Sequence, residues 1–176
     1  MRALAFLLLT GLAAAPVSAQ KLKSVQTSKS ADYPSYKTFS FLPIKTMESS
    51  GVVEDNPRIA PVVRDAIAPQ LTAKGLKQVP SGGDLEINVY LARYSSPHLE
   101  ALTFIGPPDA TYAVGGPIST TARYNEEGTM VVNVIDVKAK KSAFFAMATS
   151  TLKRDKPAYD KIKSAAEKMF KHYPSK

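Results

Sequence analysis

Two apolar runs, residues 128–137 and 143–152, lie almost back to back, and they restrict the fold more than any other feature. The link between them, Lys138-Ala139-Lys140-Lys141, is short enough to join antiparallel strands as a hairpin. Both faces of residues 130–137 are mostly apolar, so this strand needs cover on each side and is expected in the middle of a sheet. Residues 84–94 supply the clearest neighbour. Leu85, Ile87, Val89 and Leu91 alternate with Glu86, Asn88, Tyr90 and Ala92, the period of two that a strand requires.

The rest of the chain supplies two helices and lesser strands. Residues 22–28 alternate weakly and read as a first strand. Residues 36–43 carry Tyr36, Phe39 and Phe41 before Pro43 stops the run. The polar stretch 45–56 reads as a loop. Asn56-Pro57 is a helix start, an N-cap acceptor followed by a residue with no donor to leave unpaired. Ile59, Val62, Val63, Ala66, Ile67 and Leu71 then recur at spacings of three and four, and Gly75 ends the helix. Pro61 fits the opening turn, whereas Pro69 is expected to kink or split the helix.

Residues 95–121 break all pattern, with prolines and glycines at 97, 106, 107, 108, 115, 116 and 117 and a short strand expected near 102–105. Phe104, Ile105, Tyr112 and Val114 in this long irregular loop suit either a lid on the open sheet face or a contact patch for a partner or sugar. Residues 157–173 form the last helix. Ile162, Ala165, Ala166, Met169, Phe170 and Tyr173 share one side, and Lys156, Lys161, Lys163, Lys168 and Lys171 the other, before Pro174 ends it. The order predicts an α+β domain: an antiparallel or mixed sheet with two helices packed on one face.

The N-terminus reads as an export label. Arg2 precedes an apolar run over residues 3–15, and Val17-Ser18-Ala19 offers the small residues that signal peptidase accepts. The run is short of the roughly 20 residues of a spanning helix, although an uncleaved anchor or buried helix is the alternative. The expected division is a signal peptide over 1–19, cleaved between Ala19 and Gln20, and a single domain over 20–176. No later stretch is apolar enough to span a membrane as a helix.

The opening segment Asp32-Tyr33-Pro34-Ser35-Tyr36-Lys37-Thr38-Phe39-Ser40-Phe41-Leu42-Pro43 resembles the start of the DUF4136 family of exported bacterial proteins. Leu71-Thr72-Ala73-Lys74-Gly75-Leu76 before Asp84-Leu85 is similar to that family's helix end and next strand. So are Tyr124-Asn125-Glu126-Glu127-Gly128-Thr129-Met130-Val131-Val132-Asn133-Val134-Ile135-Asp136 and the close Ala165-Ala166-Glu167-Lys168-Met169-Phe170-Lys171-His172-Tyr173-Pro174. The resemblance implies a periplasmic or envelope-associated protein of a Gram-negative bacterium with no established activity. Two departures matter. Where many members carry a lipid-anchoring cysteine this chain has Val17-Ser18-Ala19-Gln20, so no lipid anchor is carried over. The last strand reads Phe144-Phe145-Ala146-Met147 in place of a Trp-Arg-Gly-type segment.

The chemical inventory is thin. Among 176 residues there is no cysteine, which excludes disulfides, thiol catalysis and cysteine-ligated metals, and only His98 and His172 offer imidazole. No nucleophile elbow or phosphate loop is present. His98-Leu99-Glu100 is two ligands short of a metal site, and His172 suits the carbonyl end of the last helix. No catalytic residue, cofactor or metal is therefore expected. The reading is a non-enzymatic binding or structural protein. The alternative is a hydrolase of envelope material using Asp136, Asp84 or Glu86, which requires two of these carboxylates to converge in a pocket. The net charge of +8 points to anionic envelope partners (lipopolysaccharide, lipid headgroups or glycan) meeting Lys161, Lys163, Lys168 and Lys171, or to another envelope protein. Nucleic acid ranks last, because export argues against it and no recognition motif appears.

Overall fold

In the computed structural model the described residues are 20–48, 51–94, 103–105, 111–113, 126–152 and 158–174. The expected hairpin is the centre of the molecule. Strand β9 (Glu126–Asp136) pairs antiparallel with β10 (Lys141–Leu152) on one side and β6 (Leu85–Tyr94) on the other. Beyond β10 lies β1 (Lys21–Thr27), also antiparallel. Beyond β6 the pairing turns parallel, with β2 (Thr38–Phe41) beside residues 85–87 and β3 (Lys45–Glu48) beside residues 90–92. Pro43 sits between β2 and β3, where a missing N–H interrupts the edge of β6. The short β5 (Lys77–Gln78) adds to β2. A separate two-stranded piece joins β7 (Thr103–Ile105) to β8 (Thr111–Ala113).

One expectation is corrected. The stretch 45–56 is not a loop, because β3 pairs with β4 (Gly51–Glu54) in an antiparallel hairpin at the sheet's edge. No residue of this edge hairpin is fully buried, so its composition stays polar and the period is weak. Asp55 follows in a left-handed turn (φ 47°), its N–H donating to the Ile44 carbonyl at 2.8 Å and its Oδ1 accepting the Ile44 N–H at 3.1 Å.

Helix α1 (Ala60–Thr72) begins later than Asn56-Pro57 predicts, with Ile59 at its N-cap, and Asn56 instead turns the chain ahead of it. Its side-chain oxygen accepts the Arg58 N–H at 3.0 Å, and its carbonyl takes the N–H groups of Ile59 and Ala60. The helix runs through Pro69 without splitting. That proline lies in the last turn, so a single missing backbone bond is the main loss, and its own carbonyl still receives the Ala73 N–H at 2.9 Å. Gly75 (φ 80°) then closes the end: its N–H reaches the Thr72 carbonyl and the Leu76 N–H that of Leu71, with both leucines buried.

Helix α2 (Tyr159–Phe170) packs beside α1, and the two cover one face of the mixed sheet, giving a single α+β domain. Val63, Ile67 and Leu71 of α1 and Ile162, Ala166 and Met169 of α2 meet Leu85, Ile87, Val89, Val132, Val134 and Ala146 in one core. No helix among the described residues is long and apolar enough to cross a membrane.

Candidate functional site

The helices are too short for the strands beneath them. The 12 residues of β10 extend about 40 Å, and the 12 residues of α2 about 18 Å. Side-chain volume decides which end is left uncovered. Along the helix-facing row of β10, Phe144 gives way to Ala146, Ala148 and Ser150. Along α2, Phe170 and Met169 give way to Ala166, Ala165 and Ile162.

The bulky end is closed. Tyr33, Tyr36, Phe144, Phe170 and Tyr173 form edge-on and tilted ring contacts with centroids 5.3–6.0 Å apart. The Tyr36 hydroxyl donates to Asp136 Oδ2 at 2.7 Å, and the Tyr33 hydroxyl to the Ala143 carbonyl. Burial raises the pKa of Tyr33, Tyr36 and Tyr173, and for Tyr36 the Asp136 carboxylate adds to the effect. These phenols stay neutral and serve packing.

The small end opens as a groove of about 670 Å³, within the range of about 300–1,000 Å³ that holds small ligands. Two rungs of the sheet make its floor. One runs Thr46–Leu91–Met130–Ala148 across four strands, and the next runs Arg93–Gly128–Ser150. The walls are Ile59 ahead of α1 and Tyr159, Ile162 and Ala165 of α2. Gly128 makes room for the side chain of Leu152, whose Cδ1 would lie 2.8 Å from a Cβ there. Most of this lining is carbon. Polar groups stand at the two sides: Gln20, Ser150 and Lys161 by β1 and β10, and Thr46, Glu48, Asn56 and Arg58 by β3. Asn56 Nδ2 donates to Glu48 Oε1 at 2.9 Å, tying the β3 side together.

The carboxylates suggested for hydrolysis are elsewhere. Asp84, Glu86 and Asp136 belong to the opposite end of β6 and β9, and none lines the groove. Asp84 Oδ2 accepts the N–H groups of Lys37 and Thr38 at 2.8 and 2.9 Å, and these bonds hold its carboxyl below the usual carboxylate range. Asp136 Oδ1 accepts the Ala139 N–H at 2.8 Å, as a turn-forming aspartate does. Both serve the backbone.

The four lysines do not form one patch. Lys161 lines the groove, and its carbonyl accepts Gln20 Nε2 at 2.9 Å. Lys168 is half-buried, its Nζ donating to the Gln20 carbonyl at 3.2 Å. Lys163 and Lys171 are exposed. His172 is exposed just beyond α2, its N–H on the Met169 carbonyl. Among the described residues no group of three potential ligands gathers for a metal. Residues 1–19, with the cleavage position Ala19, lie outside the described residues, as do His98, Glu100 and the side chains of Phe104, Ile105, Tyr112 and Val114. The groove itself was missed in the sequence. Its signal is the taper Phe144-x-Ala146-x-Ala148-x-Ser150 opposite Gly128.

Residues 23–175 match a family model described as a domain of unknown function, DUF4136. No curated protein matches the chain. Among solved structures, a DUF4136 family protein from Bacteroides thetaiotaomicron is similar at 16% identity and a TM-score of 0.59, over 88% of this chain and 96% of that one. A PDZ domain protein from Parabacteroides distasonis gives 17% identity and a TM-score of 0.61 over 89% of this chain, which spans 36% of that protein's length. The PelC dodecamer from Paraburkholderia phytofirmans gives 10% identity and a TM-score of 0.52, over 90% and 99% of the two chains. These likenesses show a shared fold.

Proposed function

We propose that this chain, which belongs to the DUF4136 family, is a non-enzymatic, envelope-associated protein that holds an apolar ligand in the groove between its sheet and helix ends. The observation that carries the reading is the groove of about 670 Å³ floored by Leu91, Met130, Ala148 and Gly128. A cavity lined mainly by carbon and bordered by a few polar groups is the usual form of a small-molecule site. The three carboxylates proposed for hydrolysis lie away from it, which favours binding over turnover. Export through a leader over residues 1–19, cleaved between Ala19 and Gln20, to the periplasm or cell envelope without a lipid anchor, belongs to the same proposal. The apolar run, the small residues before Gln20 and the absence of cysteine support it. Lys163 and Lys171 are the exposed part of the basic face through which the protein meets anionic envelope material.

The test is a fluorescence titration with N-phenyl-1-naphthylamine, an uncharged probe that brightens in apolar surroundings. The purified protein is expected to bind it saturably. Gly128→Ile, which fills the floor with a residue strands favour, is expected to abolish binding while leaving the circular dichroism spectrum intact. Absence of saturable binding by the wild-type protein refutes the groove as a ligand site. Mass spectrometry of the protein recovered from the periplasm is expected to begin at Gln20, and a mass beginning at Met1 refutes processing.

A further inference from the structure

Three buried polar atoms of the groove have no hydrogen-bond partner among the described residues: Ser150 Oγ, Gln20 Oε1 and Thr46 Oγ1. Outside the groove, Asn88 Oδ1 is the other such atom among them. Orphaned buried polar atoms weaken a fold, so the two on Gln20 and Ser150 call for a partner that folding alone does not provide. Ser150 is 7% exposed, and its position in the helix-facing row of β10 directs it into the groove.

The chemistry of that partner follows from which hydrogen-bonding capacities are already used. Lys21 of β1 pairs with Thr149 of β10, so Gln20 continues the register beside Ser150. Gln20 Nε2 donates to the Lys161 carbonyl, and the Gln20 carbonyl accepts Lys168 Nζ. What remains is Gln20 Oε1, an acceptor, and, on the adjoining strand, the Ser150 hydroxyl, which both accepts and donates. A ligand group that completes this pair must bring an O–H or N–H. A carboxylate or a fully ionised phosphate brings acceptors alone and leaves Gln20 Oε1 unpaired. Beside that pair, the floor runs from Ala148 over Met130 and Leu91 to Thr46, three strand spacings or about 14 Å from Ala148. Carbon lines that path.

We propose that the groove binds an uncharged single-chain lipid whose polar end carries a hydroxyl or amide N–H, with that end on Gln20 and Ser150 and its chain lying over Ala148, Met130 and Leu91. The proposal rests on the reading of the groove as a ligand site and adds the ligand's chemical class and its direction.

The test is displacement of N-phenyl-1-naphthylamine by three ligands of equal chain length: 1-monomyristoylglycerol, methyl myristate and myristate. The glyceride is expected to displace the probe at about tenfold lower concentration than the methyl ester, the value of one or two neutral hydrogen bonds. Myristate is expected to do no better than the ester. In Ser150→Ala the glyceride's advantage is expected to fall several-fold, and in Thr46→Val, at the far side, to persist. Equal displacement by all three, or a preference for myristate, overturns the proposal and leaves the groove as an apolar site. Failure of the probe itself to bind overturns both readings.

Discussion

Asp84 and Thr38 hold each other across the parallel junction of β2 and β6. One carboxylate oxygen of Asp84 accepts the Thr38 N–H at 2.9 Å and its hydroxyl at 3.0 Å, and the Asp84 N–H returns to that hydroxyl at 3.0 Å. The same oxygen accepts the Lys37 N–H. These bonds pin the register of β2 against β6.

They also set a dependence on acidity. The bonds from Lys37 and Thr38 lower the Asp84 pKa below its usual 3.8. A depressed carboxylate stabilises the fold in full above the unfolded-state value and loses that contribution as pH falls through the folded-state value. Asp84→Ala is expected to cost about 1 kcal/mol at neutral pH, held to that size by solvent at this exposed site. Urea titrations are expected to show the gap from wild type narrowing below pH 3.8. A gap unchanged on acidification contradicts the assignment.

Gly83, one residue earlier, is a steric requirement. A Cβ there would sit 2.7 Å from the Phe39 carbonyl carbon and 2.8 Å from Phe39 Cα and Ser40 N, all backbone atoms of a buried strand. Gly83→Ala is expected to destabilise by about 2–3 kcal/mol. Gly82, with φ of 67° and nothing within 4 Å, carries only the conformational penalty, so Gly82→Ala is expected to cost about 1 kcal/mol. Chemical denaturation of the two variants checks the order, and equal costs refute the steric account.

Asp55 joins the edge hairpin to the first helix. Its Oδ1 accepts both the Ile44 N–H and Arg64 Nη2, the latter at 2.6 Å, in a left-handed turn. Asn tolerates that conformation and keeps the acceptor, so Asp55→Asn is expected to lose about 0.5 kcal/mol, the worth of a surface ion pair. Asp55→Val loses the acceptor and strains the turn, at about 2 kcal/mol or more. Thermal melts of the pair distinguish the two contributions. A larger loss in Asp55→Asn than in Asp55→Val contradicts this account.

Much of this architecture is readable from the chain because burial repeats with a period. The alternation of Leu85, Ile87, Val89 and Leu91 and the three-and-four spacing from Ile59 to Leu71 each describe one element and its buried face, and Gly75 marks where the helix ends. The hairpin of β3 and β4 escapes because an edge pair with Lys45, Glu48 and Glu54 fully buries none of its side chains. The groove escapes for a different reason. It arises from a mismatch between strand and helix lengths and from small residues converging from β9, β10 and α2, and no local pattern encodes where three elements meet. Lys161 and Lys168 look like free surface on a helical wheel, whereas Gln20, distant in sequence, lies across both.

Ser150 places stability and binding in opposition. Its hydroxyl is buried without a partner among the described residues, so removing it takes away a desolvation cost and no hydrogen bond. Ser150→Ala is therefore expected to raise the unfolding free energy by up to about 1 kcal/mol, whereas a hydroxyl already satisfied in the ligand-free protein predicts a loss of similar size. The same change removes the group assigned to the ligand's polar end. A melting temperature that rises in Ser150→Ala, together with weaker protection of the variant by 1-monomyristoylglycerol, identifies a residue kept for the ligand at the expense of the fold. A fall in melting temperature with undiminished protection assigns Ser150 to the fold instead.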